Sequence, residues 1–515
     1  MRLFRLQSKN TGATATPDLD NKYYIWSFLM VLKVLQLCFA NYTQKLDYLL
    51  AGVFIYFVIT NLKDLKEQIF LFLMAYLTDF SDWFVSFKLI GESGSRILLV
   101  DIFFLWIFIN TFSIYLRRKK SRKFYLSRIL IGLTLFWMLN FVLGLASGGG
   151  GHAIGEARFY FVSIFVLFFV IEFHDDFNLH LRKFFKIVTL ASFNVGFCVL
   201  ILLVTGKSLE TGISVDEITR YNPGNDLAMV LVFGLLLAII DFLNRTDYHL
   251  YKGRKDLIIG LYLIVLFLAG VRTMLLVTGL IMVYYFLLSP KLALGKKILA
   301  GLMLVIGGMV FLQFQAAQTL VETQSKYVSL VDGSRTGKAD NTASWRFSMW
   351  EIFYKRLSED KVRYVIGRPF GDDQINISEL NWYWRKKKVT HVDNSMAHND
   401  FLSIAMTNGM VFAFIFLMVN GLYVLKAFRS GLRYKQFKHE NNLLGWMLFT
   451  QTIMSFLNAS IKHYGFSIML WIFLAFLATQ FNNNQILLTE EDEIKNGEEP
   501  QNINRNSVLQ SRRVH

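Results

Sequence analysis

Five prolines and two cysteines are all that the chain has among 515 residues, and each scarcity removes a class of explanation. With so few helix breakers, long uninterrupted helices are available. Cys38 and Cys198 both fall inside apolar runs with no histidine-rich spacing, so neither a disulfide framework nor a zinc site is supported. No unit repeats at a fixed period, which weakens the expectation of internal symmetry that many secondary transporters raise. A cleavable leader is not expected either. The first 22 residues are polar, and the first apolar run is too long and lacks a small-residue cleavage site, so it reads as a retained span.

Charge is also scarce, at 18% of residues against 54% hydrophobic, and the mean hydropathy is +0.39. A soluble fold does not fit these values, and an integral membrane protein does. A bilayer core needs roughly 20 apolar residues per helix. Runs of that kind recur near 23–40, 47–62, 68–87, 97–116, 125–146, 158–174, 183–205, 225–243, 256–270, 272–289, 297–316, 397–425, 442–459 and 463–481. The expected fold class is all-α: a polytopic membrane protein with about 14 (12–14) transmembrane helices and one large extracytoplasmic loop containing short helices.

Lysine and arginine decide the orientation, because cations flanking a span stay on the cytoplasmic side. They collect at 117–123, at 244–255, at Lys291, Lys296 and Lys297, and at 426–441, all on one side of the expected spans. The loops 41–46, 147–157 and 206–224 lie between them and carry little charge. The pattern predicts a cytoplasmic tail over 1–22, transmembrane helices 1–11 over 23–316, an outer loop over 317–396, helices 12–14 over 397–481, and a disordered cytoplasmic tail over 482–515. Both termini are then cytoplasmic. The formal charge of +16 is accounted for by cytoplasmic loops facing anionic lipid, so no nucleic-acid partner is called for.

The outer loop of about 80 residues is the exception in an otherwise apolar chain. Within it, Trp350, Phe353 and Leu357 follow the i, i+3, i+7 spacing of an amphipathic helix that Asn341 or Thr342 could cap. Arg346 shares that stripe. Its guanidinium either points at something on the membrane side or snorkels and pairs locally, with Glu351 for example. The turn Val365-Ile366-Gly367-Arg368-Pro369-Phe370-Gly371 follows, then Trp382-Tyr383-Trp384 and Arg385-Lys386-Lys387-Lys388. That aromatic and basic stretch could stack on sugar rings and hold an anion, or anchor on lipid headgroups.

The loop re-enters the membrane at His398-Asn399-Asp400-Phe401-Leu402. With a reference pKa of roughly 6.5, a histidine there can act as a general base, although a lone interfacial histidine is more often only a polar residue. Arg272 stands tightly between two apolar spans on the same outer face, where a charge normally meets a partner or a polar cavity. Arg158 and Arg220 fall on that face too, with Asn225 close by in sequence. Converging guanidinium groups and one histidine suit a diphosphate, whose oxygens the forks bind and whose leaving-group charge they stabilise. Each arginine taken alone could also be a structural cation.

These residues resemble the O-antigen ligase and O-antigen polymerase superfamily, over roughly 220–420. Gly270-Val271-Arg272-Thr273 is similar to the family's Ser-Arg-Gly or Ser-Arg-Thr element, with valine in place of serine. Arg346 and Trp350 are similar to its Arg-x-x-x-Trp loop helix, and Ile366 to Gly371 to its Gly-x-Gly turn, here with Arg368-Pro369 inside it. His398 to Leu402 is similar to its His-Asn-x-x-Leu element. The resemblance implies a GT-C type membrane glycosyltransferase that inverts the anomeric centre, needs no metal and no cofactor, and takes glycan from an undecaprenyl-diphosphate-linked donor. It implies His398 as the base and Arg272 and Arg346 as donor diphosphate ligands, with Arg158, Arg220 and Asn225 as secondary candidates. The implied partners are that donor, a glycan or lipid-anchored acceptor, membrane lipids and a candidate chain-length regulator. A polysaccharide or lipid-linked sugar exporter is the competing reading, but it would place charged residues near span midpoints rather than outside.

Overall fold

The structure, a computed structural model, describes residues 19–39, 44–80, 88–90, 97–117, 127–148, 150, 153–157, 160, 177–205, 225–269, 271–287, 295, 301, 342–371, 399–433, 438–457 and 469–481, with some of these described in the backbone alone. It is helical. Helices α1 (Asn21–Phe39), α2 (Gln44–Thr60) and α3 (Leu65–Leu77) precede a short antiparallel ribbon that pairs Lys88 with Leu98 and Ile90 with Ile97. Then come α4 (Leu99–Arg117), α5 (Ser127–Ala146), α6 (Phe177–Thr205), α7 (Asn225–Asn244), α8 (Lys255–Ala269) and α9 (Arg272–Met282), the last running into a π-turn over Val283–Leu287. The later part holds α10 (Thr342–Ser358), α11 (Lys361–Ile366), α12 (Asp400–Asn408), α13 (Met410–Arg433), α14 (Lys438–Leu457) and α15 (Met469–Phe481).

Helix α7 is apolar on every side, so only a position enclosed by protein satisfies it. It has one: each residue from Leu227 to Asp241 is buried, and α6, α8, α9 and α14 pack around it. Asp241 near its end is met by Lys255 Nζ at 3.1 Å and by the backbone N–H groups of Tyr248 and His249 at 3.1 and 2.9 Å. The outer helices do the opposite. Phe28 on α1 and Phe414 on α13 are each 62% exposed, and Tyr56, Leu135, Leu139, Ile264 and Leu422 join them as apolar side chains facing outward. Exposed apolar surface repeated over so many helices fits lipid and not water, and the chain is a membrane protein.

Among the described residues, three helical stretches are long and apolar enough to cross a membrane: Leu179–Thr205, Leu227–Asn244 and Met410–Ser430. Five shorter apolar helices accompany them: Leu46–Thr60, Leu99–Asn110, Leu135–Ala146, Thr273–Leu287 and Met469–Phe481. The expected spans 158–174 and 297–316 lie almost wholly outside the described residues, as does most of the outer loop, including 317–341. Two expected spans differ from the structure. In the 68–87 run α3 ends at Leu77, where Thr78 caps it, and 81–87 lie outside the described residues. The 397–425 run is two helices, because the chain breaks at Gly409.

Besides those around Asp241, polar contacts gather further helix ends into two groups. In one, the start of α1 meets the turn after α2 and the starts of α3 and α6. Lys22 Nζ reaches Asn61 Oδ1 at 3.0 Å and Glu67 Oε1 at 2.8 Å, the Tyr23 hydroxyl donates to Glu67 Oε1 at 2.6 Å, and Lys183 pairs with the same carboxylate. Within the bundle, Lys33 on α1 pairs with Asp47 on α2, both buried. A charge so placed needs its counter-ion. The second group of ends builds the site.

Candidate functional site

Helix α12 is nine residues long, and all of it except Leu402 is buried. Asn399 caps its start, the side-chain carbonyl accepting the Leu402 N–H at 3.0 Å. Its far end is harder to satisfy, since the last carbonyls of a helix have no partner within it. Gly409 closes the helix at φ +87°, ψ 160°, a conformation that glycine alone adopts without strain, and returns its N–H to Ala405 O at 2.8 Å. The Met406 carbonyl accepts the Arg368 N–H at 2.7 Å, and the Thr407 carbonyl accepts from the side chain of Asn140 on α5 at 2.5 Å. Asn140 also reaches Asn408 Oδ1 at 2.7 Å. Irregular backbone is tolerated inside a membrane protein where protein covers it. Here α5 and the turn after α11 provide that cover.

The turn is built for close approach. Asp360 caps α11 by accepting the N–H groups of Val362 and Arg363 at 2.9 and 3.3 Å. Gly367 ends the helix at φ +78°, where a β-carbon would stand 2.3 Å from Asn408 N. Gly371 also sits at φ +78°, with a β-carbon position 2.6 Å from Ala153 N, and its N–H donates to Glu156 Oε2 at 2.7 Å. On the other side α5 makes room through Gly144, whose missing β-carbon would lie 2.2 Å from Phe370 O. Phe370 is fully buried with its ring 5.1 Å from Tyr160, which lies 5.3 Å from Trp137. Two helical stretches before the turn and one helix after it are thus locked together.

Helix α10 carries the stripe expected of it: Phe353 and Leu357 are fully buried, while Tyr354 between them is 52% exposed. That stripe packs α10 against α12 and α11. Arg346 lies seven residues before Phe353, at a register position of the same stripe. Arg272 is the first residue of α9, whose cap position, Val271, makes no side-chain hydrogen bond to the helix. Asn225 is the first residue of α7. These three are described in the backbone alone. His398, Arg158 and Arg220 lie outside the described residues, with His398 one position before the Asn399 cap.

At the level of helices, the structure joins the element bearing Arg346 directly to the one that follows His398. Helix α9, opening on Arg272, packs against α7 and α14, and α14 in turn packs against α12. Sequence reasoning missed Asn140, Gly144, Glu156, Asn408 and Gly409. Only Asn408-Gly409, an Asn-Gly pair inside an apolar run, carried a local signal, that of a turn. The other three act on residues more than 200 positions away. The turn expected from its glycine and proline punctuation is present, with positive φ at both Gly367 and Gly371.

Comparison with known proteins gives one finding. No curated protein matches the chain. Residues 257–417 match the family model described as O-Antigen ligase, a stretch that takes in most of α8, all of α9 to α12 and the first turns of α13. The broken helix, the glycine turn and the loop helix all lie within it, and this match to an O-antigen ligase domain supports the resemblance to the O-antigen ligase superfamily.

Proposed function

We propose that the protein is a membrane glycosyltransferase of surface polysaccharide assembly, transferring or polymerising glycan from an undecaprenyl-diphosphate-linked donor at the outer face of the bacterial inner membrane. The observation that carries this reading is the coincidence of the O-antigen ligase match with the packed group α10, α11 and α12. The reading keeps about fourteen spans, an outer loop over 317–396, cytoplasmic termini, and catalysis within 220–420.

In this mechanism His398 takes the proton of the acceptor hydroxyl while its oxygen attacks the anomeric carbon. The bond from that carbon to the diphosphate oxygen breaks, lipid diphosphate leaves, and a single displacement inverts the centre. Arg272 and Arg346 hold the diphosphate and stabilise the charge that grows on it, with Arg158, Arg220 and Asn225 as further contacts. Support comes from position: a helix N-terminus favours an anion, and α9 begins at an arginine. No metal or cofactor takes part in these steps. The acceptor is a second glycan or a lipid-anchored one, and a chain-length regulator is a candidate partner.

The test uses purified protein with a lipid-diphosphate glycan and an acceptor. His398→Ala is expected to lower kcat by about 10²–10⁴-fold, and Arg272→Ala and Arg346→Ala by about 10²–10³-fold each. Full product formation by His398→Ala would remove the proposed base. Loss of activity with chelators would argue against the metal-free route.

A further inference from the structure

We propose that Glu156 is the positioning residue of this site, pinning the loop turn at Gly371 and, through the turn, setting where α12 begins. The inference rests on the functional reading above for its catalytic consequence, but the pin itself does not. Glu156 is 7% exposed, and its Oε2 accepts the Gly371 N–H at 2.7 Å across a separation of 215 residues. A carboxylate is costly to bury, and an apolar side chain would pack the same space. What an apolar side chain lacks is the oxygen that accepts a short, directional bond from the buried Gly371 N–H.

The place it grips matters. Gly371 is where the chain leaves the described turn for 372–398, the segment that ends on His398. The other end of that segment is Asn399, fixed as the cap of α12. Helix α12 is tied back to the turn by the Arg368 N–H on Met406 O, and to α5 by Asn140 on Thr407 O. Both ends of the segment are therefore held on one packed body, and Glu156 makes the bond at its first end. Gly371 is pressed against Ala153 in the same helical stretch, 153–157, so the bond and the steric fit act at one point. Among the described residues, the ion pairs Lys33 with Asp47 and Lys255 with Asp241 join helices away from this turn.

The experiment compares full-length parent, Glu156→Ala, Glu156→Asp and Glu156→Gln in detergent. Amide exchange is read at Gly371 by mass spectrometry, and kcat and KM with the lipid-diphosphate donor. Glu156→Ala is expected to speed exchange at Gly371 at least about tenfold and to lower kcat about 10- to 100-fold with donor KM changed less than about threefold, since a misplacement on the order of 1 Å costs about that in rate. Glu156→Gln, whose side-chain carbonyl can accept the same N–H, is expected to restore slow exchange and most of kcat. Glu156→Asp withdraws the acceptor by one methylene and should follow alanine, which covers the case where Glu156→Ala does not fold. Unchanged exchange at Gly371 in Glu156→Ala or Glu156→Asp would overturn the pin. Fast exchange with unchanged kcat, or glutamine as damaging as alanine, would overturn the positioning role. A parent that turns over no lipid-diphosphate glycan would sink the functional reading while leaving the exchange result to decide the pin.

Discussion

Replacing Gly409 by alanine puts the break between α12 and α13 to a quantitative test. At φ +87°, ψ 160° an alanine is strained by about 1–3 kcal/mol. Its β-carbon would also stand 1.8 Å from Val365 O and 2.8 Å from Ile366 N, both backbone atoms that no rotamer change can move. The accessible relief is to push α11 and its turn away, which separates the Arg368 N–H from Met406 O and leaves a buried pair unmade, at a further cost of about 1–3 kcal/mol. The sum, about 2–6 kcal/mol, is a large share of a typical folding stability of 5–15 kcal/mol. At roughly 2 °C per kcal/mol for a long chain, the thermal midpoint in detergent should fall by about 4–12 °C. The control is Gly421→Ala on α13, where nothing lies within 4 Å of the added carbon. There alanine should raise helix stability by up to about 1 kcal/mol. If Gly409→Ala melted with the parent, the argument from the break would be refuted.

Two further outcomes follow from buried charges and a buried ring. His249 is fully buried in the connection between α7 and α8, and burial, followed by nearby Lys255, pushes its pKa down to about 3. The fold binds it neutral, so its contribution is complete above the unfolded value of roughly 6.5 and is lost as pH falls from there toward 3. Near pH 5 the loss should be about 2 kcal/mol, read as a lower thermal midpoint that His249→Gln makes less dependent on pH. Lys33→Met should destabilise by about 3–5 kcal/mol because it removes the cation paired with buried Asp47, whereas Lys33→Met with Asp47→Leu should return close to the parent in the same melt. A double variant no better than the single one would mean that the pair is not the reason Lys33 is buried.

The legible parts of this fold are those set by local chemistry. The stripe of Phe353 and Leu357 and the turn punctuated by Gly367 and Gly371 each answer to a rule that acts within a few residues, and each stands where its rule puts it. The break in the 397–425 run was passed over although Asn408-Gly409 carries a turn signal, because the run is apolar on both sides of it and mean hydropathy does not separate one helix from two. Glu156 and Asn140 could not be found from spacing, since their partners lie more than 200 residues on. Lys33 and Asp47, 14 residues apart on different helices, look like two isolated charges in apolar runs until the helices are placed side by side. His249 reads as one more polar loop residue, and only the packing of Phe193 and Tyr262 around it shows its burial.

The break at Gly409 also bears on how the chain is made. Asn140, Gly144 and the 365–370 turn, which cover it, all precede it in sequence, so they leave the ribosome before α12 does. Synthesis runs from the N-terminus, and earlier segments can settle first. The apolar run can therefore enter the bilayer as one stretch and find its caps already waiting. The vulnerable moment in biogenesis shifts to the earlier helices, because a nascent chain whose α5 is misplaced would present the open carbonyl of Thr407 to lipid.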